Sequence, residues 1–115
     1  MIATLEKGNR WRHKVATMLG GLGLVEKRGI GDAGDDLTVW VGDDPHLILS
    51  VEAKNEIRYD LAGWITQAER QAPAGRLPVV ISHRNGKDNA EDGYVIMSGR
   101  TFVRLVLALS GRVGR

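Results

Sequence analysis

Cysteine is absent from the 115 residues, which excludes a disulfide framework, a thiolate metal site and a cysteine nucleophile. The absence suits a reducing cytosol, although many secreted bacterial proteins also lack cysteine. Long apolar runs are missing too. None approaches the ~18–20 residues of a membrane span, and the opening MIATLEKGNRWRHK is too charged to read as a signal peptide. There is no repeat, linker or low-complexity segment. The expectation is a cytoplasmic protein with no membrane partner, folded as one domain over 1–115, because a second core would leave too few residues for either.

The hydrophobic content of 43% and charged content of 26% are those of an ordinary globular chain. The net charge is only +2, but it is unevenly spread. Residues 1–30 carry Lys7, Arg10, Arg12, Lys14, Lys27 and Arg28 against Glu6 and Glu26. Residues 31–44 hold five aspartates and no base, and residues 100–115 hold four arginines and no acid. Basic ends around an acidic centre suit a protein that grips a polyanion and holds a cation between. Solvated surface charge explains the ends alone equally well, but not the acidic centre.

Hydrophobic periodicity predicts a helix over 4–19, where Trp11, Val15, Met18, Leu19 and Leu22 form one stripe. Gly20, Gly21 and Gly23 stop it. A short strand is expected at 24–28, a flexible loop at 29–34, and strands at 36–41 and 47–54 joined by a hairpin through GDDPH. A second helix is expected over 60–72, capped by Asp60 and ended by Pro73 and Gly75. Strands at 77–83 and 94–98 and a last helix at about 100–109 follow. The order α, β, β, β, α, β, β, α implies an α/β fold with a mixed central sheet flanked by helices.

The segment GDDLTVWVGDDPHLILSVEAKN carries the chemistry. Glu52 and Lys54 are two apart on a strand, so both side chains leave the same face. A three-residue turn at Asp43-Asp44-Pro45 sets Trp40 opposite Ile48 and Asp36 opposite Glu52. Two opposed carboxylates destabilise a sheet, and a hard divalent cation such as Mg²⁺ or Mn²⁺ resolves the repulsion. Asp36, Glu52 and the Ala53 carbonyl are the expected metal ligands, with Lys54 orienting or deprotonating a water. Asp36 is preferred to Asp35, which strand alternation would aim at the opposite face.

Asp36, then about fifteen residues, then Glu52-x-Lys54 at a strand end is similar to the PD-(D/E)xK nuclease superfamily. Within it the chain resembles the compact Holliday-junction resolvases of archaea and, more closely, of bacteriophages. The likeness spans nearly the whole chain: KGNRW…VATML, the GDD turn, VEAKN, LAGWITQA, LPVVISHRNGK and DGYVIMSGRTFVRL. It implies a restriction-endonuclease-like sheet and a Mg²⁺-dependent endonuclease acting on branched DNA, in a bacterial cell or phage-infected host. Two departures stand out. The archaeal proteins carry an acid on the first helix where this chain has Arg12 and His13, and Glu6 would serve only if the helix shifted by more than a turn. The acid before the strand is also doubled.

Other residues have two readings each. Gln67 and Gln71 share a helix face; related nucleases often aim a polar residue from this helix at the site, and Gln67 is the better candidate, solvation being the alternative. Arg10, Arg12, His13 and Lys14, with Arg84 and Lys87 of the RNGK loop, are candidate DNA-backbone contacts or plain surface. Asp43 and Asp44 are expected in the turn, and His46 and His83 at a turn and a strand end. The three tryptophans are expected in the core. The last helix is apolar nearly all round, which suggests a twofold homodimer; the resemblance implies the same, since a four-way junction needs two cuts. A same-fold nuclease for other DNA and a non-catalytic DNA-binding module remain as alternatives. A restriction-type reading lacks a specificity element to read sequence.

Overall fold

A computed structural model describes residues 2–29 and 34–111, with side chains from Lys7 onward. Strands β1 (Gly23–Lys27), β2 (Leu37–Val41), β3 (Ile48–Lys54), β4 (Leu77–Ser82) and β5 (Tyr94–Ile96) form one sheet in the order β1-β2-β3-β4-β5. All neighbours are antiparallel except β3 and β4, which are parallel and joined by helix α2 (Leu61–Gln71). A parallel pair needs such a crossover, whereas an antiparallel pair can close by a short turn, as β2 and β3 do. Helix α1 (Ile2–Leu19) opens the chain and α3 (Gly99–Leu109) closes the described part. The architecture is a mixed five-stranded α/β sheet with helices on both faces.

Alternation in the strands builds two unequal layers. Leu37, Val39, Leu49, Val51, Leu77, Val79 and Ile81 meet Trp11, Val15, Ala16 and Leu19 of α1 in the main core. Complete burial of a Leu, Val or Ile contributes roughly 1.5–3 kcal/mol, so this layer is the principal support of the sheet. The Trp11 indole N–H donates to the Ile81 carbonyl at 3.2 Å, locking α1 onto the centre of the sheet. Leu22, expected to extend the α1 stripe, falls past the helix end and is exposed. On the other face a smaller cluster joins Trp64 and Ala68 of α2 to Val80. That face is otherwise polar: Thr38, Ser50, Glu52 and Ser82 are buried there.

The expected elements are all present, with ends shifted by a few residues. The hairpin between β2 and β3 runs through 42–46, the expected GDDPH segment and one residue longer on each side than a turn of 43–45 alone, and Val41 N–H donates to the Leu47 carbonyl to close it. Both sides lengthen equally, so Trp40 still faces Ile48 and Leu37 faces Val51. β5 ends at Ile96 and not at 98, since Ser98 is used as the cap of α3, its hydroxyl accepting from Thr101 N–H at 3.1 Å. Among the described residues no helix is long and apolar enough to cross a membrane.

Candidate functional site

β3 lies between β2 and β4, and its last residues reach beyond the start of β2. Val51 accepts from Asp36 N–H at 3.0 Å and Lys54 from His83 N–H at 2.8 Å, so alternate residues of β3 bond to opposite neighbours. The main chain of Ala53 therefore turns toward Asp36, and its N–H donates to Asp36 Oδ2 at 2.9 Å. The polar face at this strand end carries Asp36, Glu52 and Lys54 together, as the register requires.

Helix α2 closes over them. Asp60 caps it, its Oδ1 accepting from Gly63 N–H at 3.0 Å, and Trp64 and Ala68 seat it on Val80. Gln67 and Gln71 then point down at the strand end. Lys54 Nζ donates to Gln67 Oε1 at 2.9 Å. With its amide turned so that the nitrogen faces them, Gln71 donates to Glu52 Oε1 and to the Gly34 carbonyl. Gln71 is thus as close to the carboxylates as Gln67 is to the lysine; helical spacing placed both on one face without ranking them.

Glu52 is only 3% exposed. Its pKa is pushed up to about 7, first by burial, then by the Asp36 charge and to a smaller degree by Asp35, with Lys54 pulling the other way. A carboxyl poised this way exchanges its proton near neutrality and gains from a nearby cation.

Asp35 corrects the expectation that it would face away. β2 begins only at Leu37, so strand alternation does not govern residue 35. Its carboxylate is 2% exposed and faces the same polar layer: Oδ2 accepts from Ser50 Oγ at 2.6 Å and Thr38 Oγ1 at 3.2 Å. Oδ1 pairs with Arg28 Nη2 at 2.9 Å, and Arg28 Nε also donates to the Asp35 carbonyl at 2.8 Å. With both oxygens occupied, Asp35 anchors the chain leading into Asp36 and leaves Asp36 as the acid beside Glu52.

Among the described residues no group of three or more His, Asp or Glu side chains is arranged to hold a metal. Two carboxylates and a main-chain carbonyl remain, a hard oxygen donor set of the kind Mg²⁺ and Mn²⁺ accept beside water ligands. The mutually repelling pair of half-buried Asp36 and buried Glu52 fits such a cation. The first-helix acid finds no replacement in Arg12, whose guanidinium donates to the Arg28 carbonyl at 3.2 Å and to Asn9 Oδ1 at 3.4 Å. Glu6 lies outside the described side chains.

The proposed backbone contacts separate into groups. Arg10 and Lys14 share one side of α1 with Lys7, whereas His13 turns toward β1, its Nδ1 3.2 Å from Lys27 Nζ. Arg84 and Lys87 close a tight turn through Gly86, and the Arg84 guanidinium lies over the Tyr94 ring. Asp44 holds the hairpin turn, accepting from His46 N–H at 2.9 Å. Trp11 and Trp64 are buried, but Trp40 is only partly so and lies under Arg76. Sequence reasoning missed the His83–Asp88 contact, Nε2 to Oδ1 at 3.0 Å; Asp88 sits in a polar loop with no periodicity to mark it. Hydrogen bonding to His83 holds the Asp88 carboxyl below its ordinary range.

Compared with known proteins, the chain matches no family model, no curated protein and no solved structure significantly.

Proposed function

We propose that the chain is a metal-dependent, structure-selective DNA endonuclease of the PD-(D/E)xK kind, with a restriction-endonuclease-like fold, acting on branched DNA and above all on four-way junctions. The observation that carries this reading is the convergence of Asp36, a buried Glu52 with pKa about 7, and Lys54 on one strand end beneath Gln67. Burying Glu52 beside the half-buried Asp36 costs stability and gives the fold nothing that an apolar residue would not. Such an arrangement is expected at a site that does chemistry.

Asp36, Glu52 and the Ala53 carbonyl would hold Mg²⁺ or Mn²⁺, which supplies Lewis acidity toward the scissile phosphate and acidifies a water. Lys54, steadied by Gln67, donates to the attacking water or to the developing charge on phosphorus. Gln71 orients Glu52. The leaving 3′ oxygen takes its proton from solvent, and no covalent intermediate is needed. Basic side chains such as Arg10 and Lys14 contact phosphates without reading bases, which suits selection by DNA shape. Two copies joined through α3 would present two sites to one junction.

Incubation of the protein with labelled junction, duplex and single-stranded DNA, with Mg²⁺ or with chelator, tests the reading. Metal-dependent cutting with preference for the junction is expected. Preferential cutting of another form assigns a different substrate, and binding without cutting in any metal assigns a non-catalytic module.

A further inference from the structure

The sheet end carries a second opening, on the opposite face from Asp36 and Glu52. It is a cavity of about 430 Å³ between α1 and the loops that follow β3 and β4. Lys7, Arg10 and Lys14, one helix face of α1, line it together with Asn55, His83 and Asn85. Among the described residues Asp88 is the only acid lining it, and that carboxylate is turned onto His83 Nε2. Lys14 Nζ reaches the Asp88 carbonyl at 2.9 Å, while Lys7 and Arg10 have no hydrogen-bonding or ionic partner among the described residues. A concave surface with this excess of cations calls for an anion.

The walls are built, not incidental. The His83 ring stands edge-on to Trp11, with centroids 5.1 Å apart, and its buried Nδ1 has no partner. Asn85 N–H donates to the Tyr59 hydroxyl at 3.0 Å and Asn85 Nδ2 to the Ile57 carbonyl at 3.0 Å, tying the two loops into one rim. The cavity opens one residue past Lys54, where Asn55 follows and His83 N–H holds the Lys54 carbonyl at 2.8 Å. These are the carboxyl ends of the parallel strands, where open α/β sheets bind ligands.

We infer that this cavity is a second phosphate site, which holds the phosphodiester adjacent to the one cut and so fixes which bond reaches Lys54. The inference rests on the nuclease reading for the strand that supplies the phosphate, but not for the site itself. Lys54 ends β3 and the next residue, Asn55, lines the cavity, so a strand held at Lys54 would cross the sheet end toward the three cations of α1. Asn55 and Asn85 add neutral amide donors suited to the non-bridging oxygens.

The first arm of the test needs neither metal nor cleavage. Inorganic phosphate is titrated into the metal-free protein while side-chain amide and guanidinium NMR signals are followed. Saturable shifts at Asn55, Asn85 and Arg10 are expected, retained in Asp36→Asn and lost in Arg10→Ala/Lys14→Ala, whose replaced side chains are exposed and leave the thermal melt unchanged. Absent shifts, or shifts that survive in the double variant, overturn the site whatever the cleavage result. The second arm uses a DNA strand with one neutral methylphosphonate next to the scissile phosphate. It should bind the wild type about tenfold more weakly, as loss of a charge-assisted contact does, and bind the double variant no more weakly than unmodified DNA. Unchanged wild-type binding overturns the assignment to a strand and leaves a site for free phosphate or a nucleotide. Phosphate shifts without cutting of any DNA overturn the nuclease reading and keep the phosphate site.

Discussion

Glu52 holds a position that a metal-free protein pays for. It is buried beside Asp36, and its pKa stands at about 7 against an ordinary 4.5. Below about 4.5 it is protonated in both folded and unfolded chains and has no effect on stability. Between 4.5 and 7 the folded protein keeps a proton that the unfolded chain has released, so its contribution to stability falls as pH rises. Above 7 the full cost is present, at most about 3 kcal/mol for a shift of this size. Glu52→Gln should therefore raise the melting temperature of the metal-free protein by several degrees at pH 8 and hardly at all at pH 4.5. Thermal melts across that range test this; a variant no more stable than wild type at pH 8 would show that the carboxylate is not strained. Asp35 behaves oppositely. Asp35→Asn removes the charge that faces Arg28 and leaves one side-chain oxygen where two now accept from Arg28, Ser50 and Thr38, at an expected cost of about 2 kcal/mol. Denaturant unfolding should show that loss, whereas Asp36→Asn should leave the fold stable.

At the scale of elements, α2 is the arm that brings Gln67 and Gln71 to the strand end. Its grip depends on the Asp60 cap and on Trp64, whose indole N–H donates to Glu56 Oε2 at 3.1 Å. Asp60→Ala should cost about 1 kcal/mol. It should also slow any activity, because the first turn sets where both glutamines hang, whereas Gln67→Glu should slow activity with little change in unfolding. Activity and unfolding measured on the two variants separate these effects; an unimpaired Asp60→Ala would mean that α2 is positioned by its apolar face alone. Much of this arrangement was legible in the chain. The alternation of β2 and β3 and the Asp-Pro turn determine that Asp36, Glu52 and Lys54 share a face, and symmetrical lengthening of the turn preserved that register. Asp35 was not legible, because the pairing with β3 extends back only to Asp36, whose N–H donates to the Val51 carbonyl, and alternation ends there. The rank of Gln67 against Gln71 was hidden for a similar reason: helical spacing gives a face, while the neighbours that each amide meets depend on how far α2 slides along the sheet. The His83–Asp88 pair depends on loop closure, which no period encodes.

For the whole molecule, α3 leaves a question of covering. Leu105 and Ala108 pack on the main core, but Phe102, Val103, Val106 and Leu109 are 45% to 67% exposed along one helix face. Contiguous apolar surface of this kind invites association, and our proposal assigns it to a second copy of the chain around a twofold axis. Val106→Glu or Leu109→Glu, both outward-facing, should then give a folded monomer that binds DNA yet loses paired cutting of a junction. Sedimentation of dilute wild type as a monomer that still cuts in pairs would exclude the dimer. The central claim concerns the chemistry at the sheet end, and it is tested most directly by the rate of Mg²⁺-dependent cleavage of a four-way junction by wild type, Glu52→Gln and Lys54→Ala side by side. The account predicts cutting by wild type only with metal, and a fall of about a hundredfold or more in each variant, with junction binding retained. Equal rates in all three proteins would contradict it.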